Sequence, residues 1–193
     1  MSSLIVEIVE IKEILDHPDA DRLEIAKVKG WECVVGKGDL NQGDLVVYVP
    51  IDSVLPIELS DRLGVTKYLS KGRVRTAKLR GIYSQGLIIN VKVLPELGDI
   101  IKKGEDVKDI LGITKFIPPP PPANMSGEQR QKHPDFHEYT EIENIKNFPD
   151  VLVIGEQVSI SEKIHGTNFR CGNLPVYQPK WDNEVKENEL HVG

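Results

Sequence analysis

Cysteine is scarce in this sequence of 193 residues: there are two, Cys33 and Cys171, far apart and without a C-x-x-C pair. That excludes a disulfide framework and a cysteine-based zinc site, and it points to a reducing, cytoplasmic compartment. Long hydrophobic runs are missing as well. Nothing approaches the ~20 apolar residues of a membrane span, so no membrane contact is expected. The stretch Met1-Ser2-Ser3-Leu4-Ile5-Val6-Glu7 has no basic n-region before an apolar core, which argues against a signal peptide. The sequon Asn124-Met125-Ser126 is accordingly expected to stay unglycosylated. A basic excess is absent too: the net charge of −6 excludes a general nucleic-acid coat protein. What is present, 39% hydrophobic and 28% charged residues, belongs to a globular chain of one or two domains. A chain of this length buries roughly 70% of its unfolded surface, enough for a core of its own.

The first part is rich in strand signals. Residues 4–15 alternate apolar and polar side chains, with Val6, Ile8 and Ile11 expected to point inward. His17-Pro18-Asp19-Ala20-Asp21 is a turn by composition, with Pro18 fixing the backbone and an aspartate bonding the amides ahead. Residues 23–28, 31–35 and 45–49 read as further strands, separated by Gly30 and by Asn41-Gln42-Gly43-Asp44. Residues 74–79 and 87–91 would close the sheet. Short strands at this spacing predict a small antiparallel barrel, with Trp31 in its core. Two helices are expected over 57–63 and 105–111, each stopped by a glycine, Gly64 and Gly112. The similarity of Leu63-Gly64-Val65-Thr66-Lys67-Tyr68 to Leu111-Gly112-Ile113-Thr114-Lys115-Phe116 reads as two like helix stops, since nothing else repeats.

Pro118 to Pro122 form a stiff spacer of ~3.1 Å per residue. The expected division is 1–116, a linker over 117–135, and 136–193. Residues 1–116 carry 17 basic and 18 acidic side chains, and 117–193 carry 7 and 12. Nucleic-acid contact therefore needs a local patch. The stretch from Lys67 to Arg80 supplies one: Lys67, Lys71, Arg73, Arg75, Lys78 and Arg80 with no acid, flanked by Tyr68 and Tyr83. Strand alternation would put Arg73 and Arg75 on one face and Lys78 and Arg80 on the other unless a bulge intervenes. Beyond the linker, 139–148 reads as a short helix. Residues 156–162 read as a strand, with 168–171 returning beside it.

That strand leads into Glu162-Lys163-Ile164-His165-Gly166-Thr167-Asn168. The segment resembles the nucleotide-attachment motif of phage-type ATP-dependent RNA ligases, whose signature reads E-K-x-H-G-T-N, and Tyr139-x-x-Ile142-Glu143-Asn144 is similar to the opening of that domain. The front of the chain resembles the OB-type domain of the Deinococcus-type RNA ligases. It is also similar to tRNA-binding modules of some synthetases, through His17-Pro18-Asp19-Ala20-Asp21-Arg22-Leu23-Glu24, Leu79-Arg80-Gly81 and Ser84-Gln85-Gly86-Leu87. The resemblance implies a mainly β chain with some α: an OB-like antiparallel barrel, followed by the beginning of an α+β, ATP-grasp-like nucleotidyltransferase domain.

The resemblance implies ATP with Mg²⁺ or Mn²⁺, and RNA with 5′-phosphate and 3′-hydroxyl ends. Lys163 would attack the α-phosphate and hold AMP, pass it to the 5′-phosphate, and a 3′-hydroxyl would then seal the strand. Glu162 and Ile164 would line the nucleotide pocket. His165 stands where DNA ligases have an acid, Gly166 lets the backbone approach the phosphate, and Asn168 would bond near the AMP sugar or phosphate. Lys71, Arg73, Arg75, Lys78 and Arg80 would hold RNA on the OB-like surface by charge and stacking.

Other motifs fail. Gly36-Lys37-Gly38 lacks the glycine spacing and the Ser/Thr of a P-loop. His133 and His137 lack a third metal ligand, and Glu141 and Glu143 read as a solvated face and a cap. The later arginine, acids and lysine pair of the ligase family are not found past Arg170. The chain is thus expected to be an incomplete ligase, inactive without a remaining half. The alternatives are a non-catalytic OB-fold RNA-binding protein with a vestigial second domain, or a guanylyltransferase using the same lysine.

Overall fold

The computed structural model describes residues 4–98, 100–119, 135, 143–162, 171–175 and 188–192. The chain divides into two compact units, Met1–Pro118 with Ile142–Ile154, and Pro119–Glu141 with Gly155–Gly193.

In the first unit the predicted strands form in order: β1 (Glu7–Asp16), β2 (Leu23–Val28), β3 (Trp31–Gly36) and β4 (Leu45–Val49). A short β5 (Ser53–Val54), a hairpin of β6 (Ala77–Leu79) and β7 (Ile82–Ser84), and β8 (Leu87–Asn90) follow. Five of them make one antiparallel sheet in the order β3-β2-β1-β4-β8. β1 serves two neighbours: residues 7–10 pair with β4, and residues 11–16 pair with β2, with a register shift between Ile11 and Glu13. Such an extra residue bends the strand and sharpens its twist, so the sheet curls. The curl is closed across β3, where Val34 N–H donates to Ser84 Oγ at 3.0 Å and Gln85 N–H donates to Glu32 O at 2.8 Å.

Burial departs from a one-faced strand. Val6, Ile8 and Ile11 are all buried as expected, but so is Val9. Val6 and Ile8 join Val47, Val49, Leu97 and Val107 on one side of the sheet. Val9 and Ile11 join Ala26, Val28, Trp31, Val46 and Tyr48 on the other. Alternation still sets the faces; both are covered because residues 91–113 and α1 (Ile57–Arg62) pack on the side that would otherwise meet water.

The helix expected at 57–63 is α1, and Gly64 follows it with φ +66°. The helix expected at 105–111 is replaced by extended backbone and one turn. Ile8 N–H donates to Glu105 O at 2.9 Å and Val107 N–H to Val6 O at 2.7 Å, so this segment extends the sheet beside β1. Asp106 accepts from Val6 N–H and from Lys108. Burial opposes its charge, but the bonds from Lys108 and Val6 outweigh it and hold the carboxyl below the usual range. Only then does a turn run from Val107 to Leu111, both buried. The pairing made with β1 outweighs local helix propensity. Residues 77–79, expected to close the sheet, pair with β7 instead. β9 (Thr114–Lys115) pairs with β5.

In the second unit, residues 155–162 form no strand, and their side chains are exposed. Cys171–Pro175 (β10) is a strand, but it pairs with β11 (Asn188–Val192) and not with 156–162. Among the described residues no helix is long and apolar enough to cross a membrane.

The two cysteines differ in accessibility: Cys33 is buried and Cys171 exposed. Burial pushes the Cys33 thiol up to about 12, against a weaker opposing effect from the Gln85 backbone. Since thiolate is the reactive form, a disulfide reagent at pH 8 is expected to titrate one thiol quickly, and the second only in denaturant. Two fast thiols would contradict this placement of Cys33.

Candidate functional site

The turn after β1, the β6–β7 hairpin and the end of β3 meet at one corner of the barrel. His17 is buried there. Its Nδ1 accepts from Asp19 N–H at 3.1 Å, and its Nε2 lies 3.1 Å from Leu79 O. A carbonyl only accepts, so Nε2 carries the proton and the ring is the neutral Nε2–H tautomer. The expected proline-fixed turn is present, but the histidine, not an aspartate side chain, makes the bond across it. The second bond, from Nε2–H to Leu79 O, ties the turn to Leu79-Arg80-Gly81, so two sequence motifs 62 residues apart become one structural feature.

Beside them, Gln85 O accepts from Tyr48 Oη at 2.9 Å and from the Cys33 thiol at 3.7 Å. Glu32, Thr76, Gly81, Ile82, Tyr83 and Gln85 line an open groove of about 530 Å³. Tyr83 is 56% exposed, and its cross-strand partner Lys78 places its ammonium 5.3 Å from the ring centroid.

Apart from Lys78, the basic run does not lie on strand faces. Arg73 donates through Nε and Nη2 to Asp52 Oδ1 at 2.9 and 2.7 Å, with its guanidinium 3.8 Å from the Phe116 ring centroid. It is thus committed to the barrel. Lys71 and Arg80 sit in turns with φ of +55° and +47°, and Arg75 is exposed in an irregular stretch. Lys78 alone of the five is on a strand. Lys71, Arg75, Lys78 and Arg80 keep exposed charges, so the patch is formed by turns and a hairpin.

The segment following the linker packs on this unit. The helix expected over 139–148 is, within the described residues, a single 3₁₀ turn, Ile145–Asn147. Asn144 Oδ1 accepts from Lys146 N–H at 3.0 Å and caps that turn. Lys146 O accepts from Gly30 N–H at 3.0 Å, and a Cβ on Gly30 would stand 2.9 Å from Lys146 Cα. Trp31 Nε1–H donates to Asn147 Oδ1 at 2.8 Å, while Lys146 Nζ lies 4.9 Å from the indole and donates to Gln85 Oε1 at 3.1 Å. Trp31 is therefore a core residue whose polar edge anchors the incoming chain. Sequence reasoning singled out Gln85 within Ser84-Gln85-Gly86-Leu87 but joined neither it to Lys146 nor Trp31 to Asn147, pairs that meet only in the fold.

Glu162 is exposed. Lys163, Ile164, His165, Gly166 and Asn168 lie outside the described residues, as do His133 and His137.

The curled five-stranded sheet places residues 5–91 in the class of OB-fold domains, and a family model described as an OB-fold domain matches that same range. Solved structures carry the comparison further. The chain is similar to Naegleria gruberi RNA ligase with PPi at 38% identity and a TM-score of 0.60, over 76% of this chain and 44% of that one. It is similar to a mutant of that ligase with ATP and Mn at 37% and 0.61, over 75% and 44%. A mutant with AMP and Mn gives 37% and 0.62, over the same shares. The chain thus spans under half the length of these ligases. No curated protein sequence matches it.

Proposed function

We propose that this chain is the OB-fold domain and the nucleophile-bearing segment of an ATP-dependent RNA ligase. The carrying observation is the likeness to RNA ligase structures at 37–38% identity over three quarters of the chain. The motif around Lys163 supports it independently.

In this reading the Lys163 amine attacks the ATP α-phosphorus. A P–N bond forms, pyrophosphate leaves, and the ammonium proton goes to solvent. A 5′-phosphate oxygen of RNA then takes the AMP and frees the lysine. Finally a 3′-hydroxyl attacks that 5′-phosphate and AMP departs. Among the described residues no group of three His, Cys, Asp or Glu side chains converges on one point. A divalent ion, Mg²⁺ or Mn²⁺, is proposed to come with the triphosphate and neutralise its charge. Glu162, Ile164, His165, Gly166 and Asn168 are proposed to surround the nucleotide. Lys71, Arg75, Lys78 and Arg80 are proposed to attract the RNA backbone, Arg73 contributing less because Asp52 holds it. The remainder of the nucleotidyltransferase domain, on the same polypeptide or a second one, completes the pocket.

The test is α-labelled ATP or GTP with divalent metal, in the presence of that remainder, followed by a denaturing gel. Covalent AMP supports the ligase, and covalent GMP supports a guanylyltransferase. RNA binding with no covalent label would leave only a non-catalytic OB-fold RNA-binding protein.

A further inference from the structure

The groove between β3 and the β6–β7 hairpin has the makings of a ligand site that the ligation chemistry does not require. Its volume of about 530 Å³ is in the range that admits a molecule of nucleoside size. On one side stands Tyr83, exposed and held by the Lys78 ammonium. A ring so placed offers a face for stacking any base.

The polar groups in the groove are mixed in a way that a phosphate site would not be. Glu32 faces out of β3, and among the described residues nothing hydrogen-bonds its carboxylate. A carboxylate repels phosphate but accepts from an exocyclic amine, as acids do from cytosine N4, and Lys27, opposite Glu32 in the ladder, attracts it by charge without a hydrogen bond to it. Gln85 has its Oε1 occupied by Lys146, which leaves its NH₂ group as the donor. The exposed Thr76 hydroxyl adds a group that can donate or accept. The groove wall thus presents an acceptor and donors beside a stacking ring. Cations lie next to it in the hairpin, on Lys78 and on Arg80 in its turn, where a backbone phosphate would fit.

We propose that this groove takes one unpaired, amine-bearing nucleobase of the RNA: Tyr83 stacks on it, Glu32 and Gln85 read its edge, and Lys78 and Arg80 hold the flanking phosphates. The proposal rests on the RNA-ligase reading for the identity of its ligand, but not on Lys163 or on ATP.

The experiment is fluorescence anisotropy of the whole chain with short oligocytidylate, oligouridylate and a blunt RNA duplex. Tyr83→Ala is expected to weaken oligocytidylate binding about tenfold and to leave the duplex unchanged, whereas Tyr83→Phe keeps full affinity. Glu32→Gln is expected to remove the preference for oligocytidylate over oligouridylate. Tyr83 is exposed, so each variant should keep the wild-type melting temperature, which is measured in parallel. A folded Tyr83→Ala with unchanged oligocytidylate affinity would overturn the subsite. So would equal losses on single strand and duplex, or an unchanged base preference in Glu32→Gln. Failure of the ligase reading shows elsewhere, as absence of covalent AMP while these binding differences persist.

Discussion

Replacing Lys163 with methionine is expected to reduce covalent labelling by ATP to background, and replacing it with arginine is expected to do the same. Methionine keeps the length of the side chain and removes the amine. Arginine keeps the positive charge and the reach, but its guanidinium does not deprotonate in proteins. A lysine that merely attracted phosphate would therefore survive the arginine change in part, whereas a nucleophile would not. The measurement is radiolabel retained on a denaturing gel, with the remainder of the nucleotidyltransferase domain present. Undiminished labelling in either variant would remove Lys163 from the proposed chemistry.

The demand on that lysine is large. The attacking form is the neutral amine, and a lysine ordinarily titrates near ~10.4, so neutrality at pH 7 costs about 4.6 kcal/mol. Desolvation, a bound divalent ion and neighbouring cations are the available sources of that bias. The OB-fold unit is proposed to contribute differently, by raising the local concentration of RNA ends near a lysine on the same chain. Loss of charge at Lys78 or Arg80 should then weaken RNA binding without altering labelling by ATP.

The barrel was legible where local signals and pairing agree. β1 to β4 follow from alternation and from the turns at His17-Pro18-Asp19 and Asn41-Gln42-Gly43-Asp44. The segment at 105–111 misleads because Val107 and Leu111 have helical spacing; what decides its shape is the hydrogen bonding to Val6 and Ile8, which no local pattern reveals. Likewise Ile145 and Phe148 suggest a helix, but Gly30 and Trp31 claim the backbone of Lys146 and the side chain of Asn147. Arg73 looks free in the sequence because its partner Asp52 is 21 residues away. The groove was hidden for the same reason: Glu32 and Gln85 become neighbours only when β3 closes on the end of the hairpin. The lysine motif stands on consecutive residues of the sequence alone, since Lys163 to Asn168 lie outside the described residues.

Gly86→Ala is expected to be the most damaging single methyl group in the barrel. Gly86 has φ +125°, a conformation that L side chains rarely adopt. A Cβ there would lie 2.6 Å from Tyr48 Cε2 and 2.9 Å from Val49 O. Neither neighbour can yield. Val49 pairs with Leu87 in the sheet. Tyr48 is buried, stacks on Trp31 with centroids 6.5 Å apart, and donates its hydroxyl to the carbonyl of Gln85, the adjacent residue. Backbone strain of roughly 1–3 kcal/mol and overpacking of roughly 1–3 kcal/mol combine to about 3 kcal/mol, or a fall in Tm of roughly 10 °C. Gly38 is the control, with φ +79° and no atom within 4 Å of an added Cβ. Gly38→Ala carries the backbone term alone and should cost about 1 kcal/mol. Thermal denaturation of the two variants separates the contributions: equal shifts would mean that the contact with Tyr48 and Val49 does not matter. Because Gly86 follows Gln85 directly, a folded Gly86→Ala protein should also lose the burial of Cys33, which a fast-reacting second thiol would report.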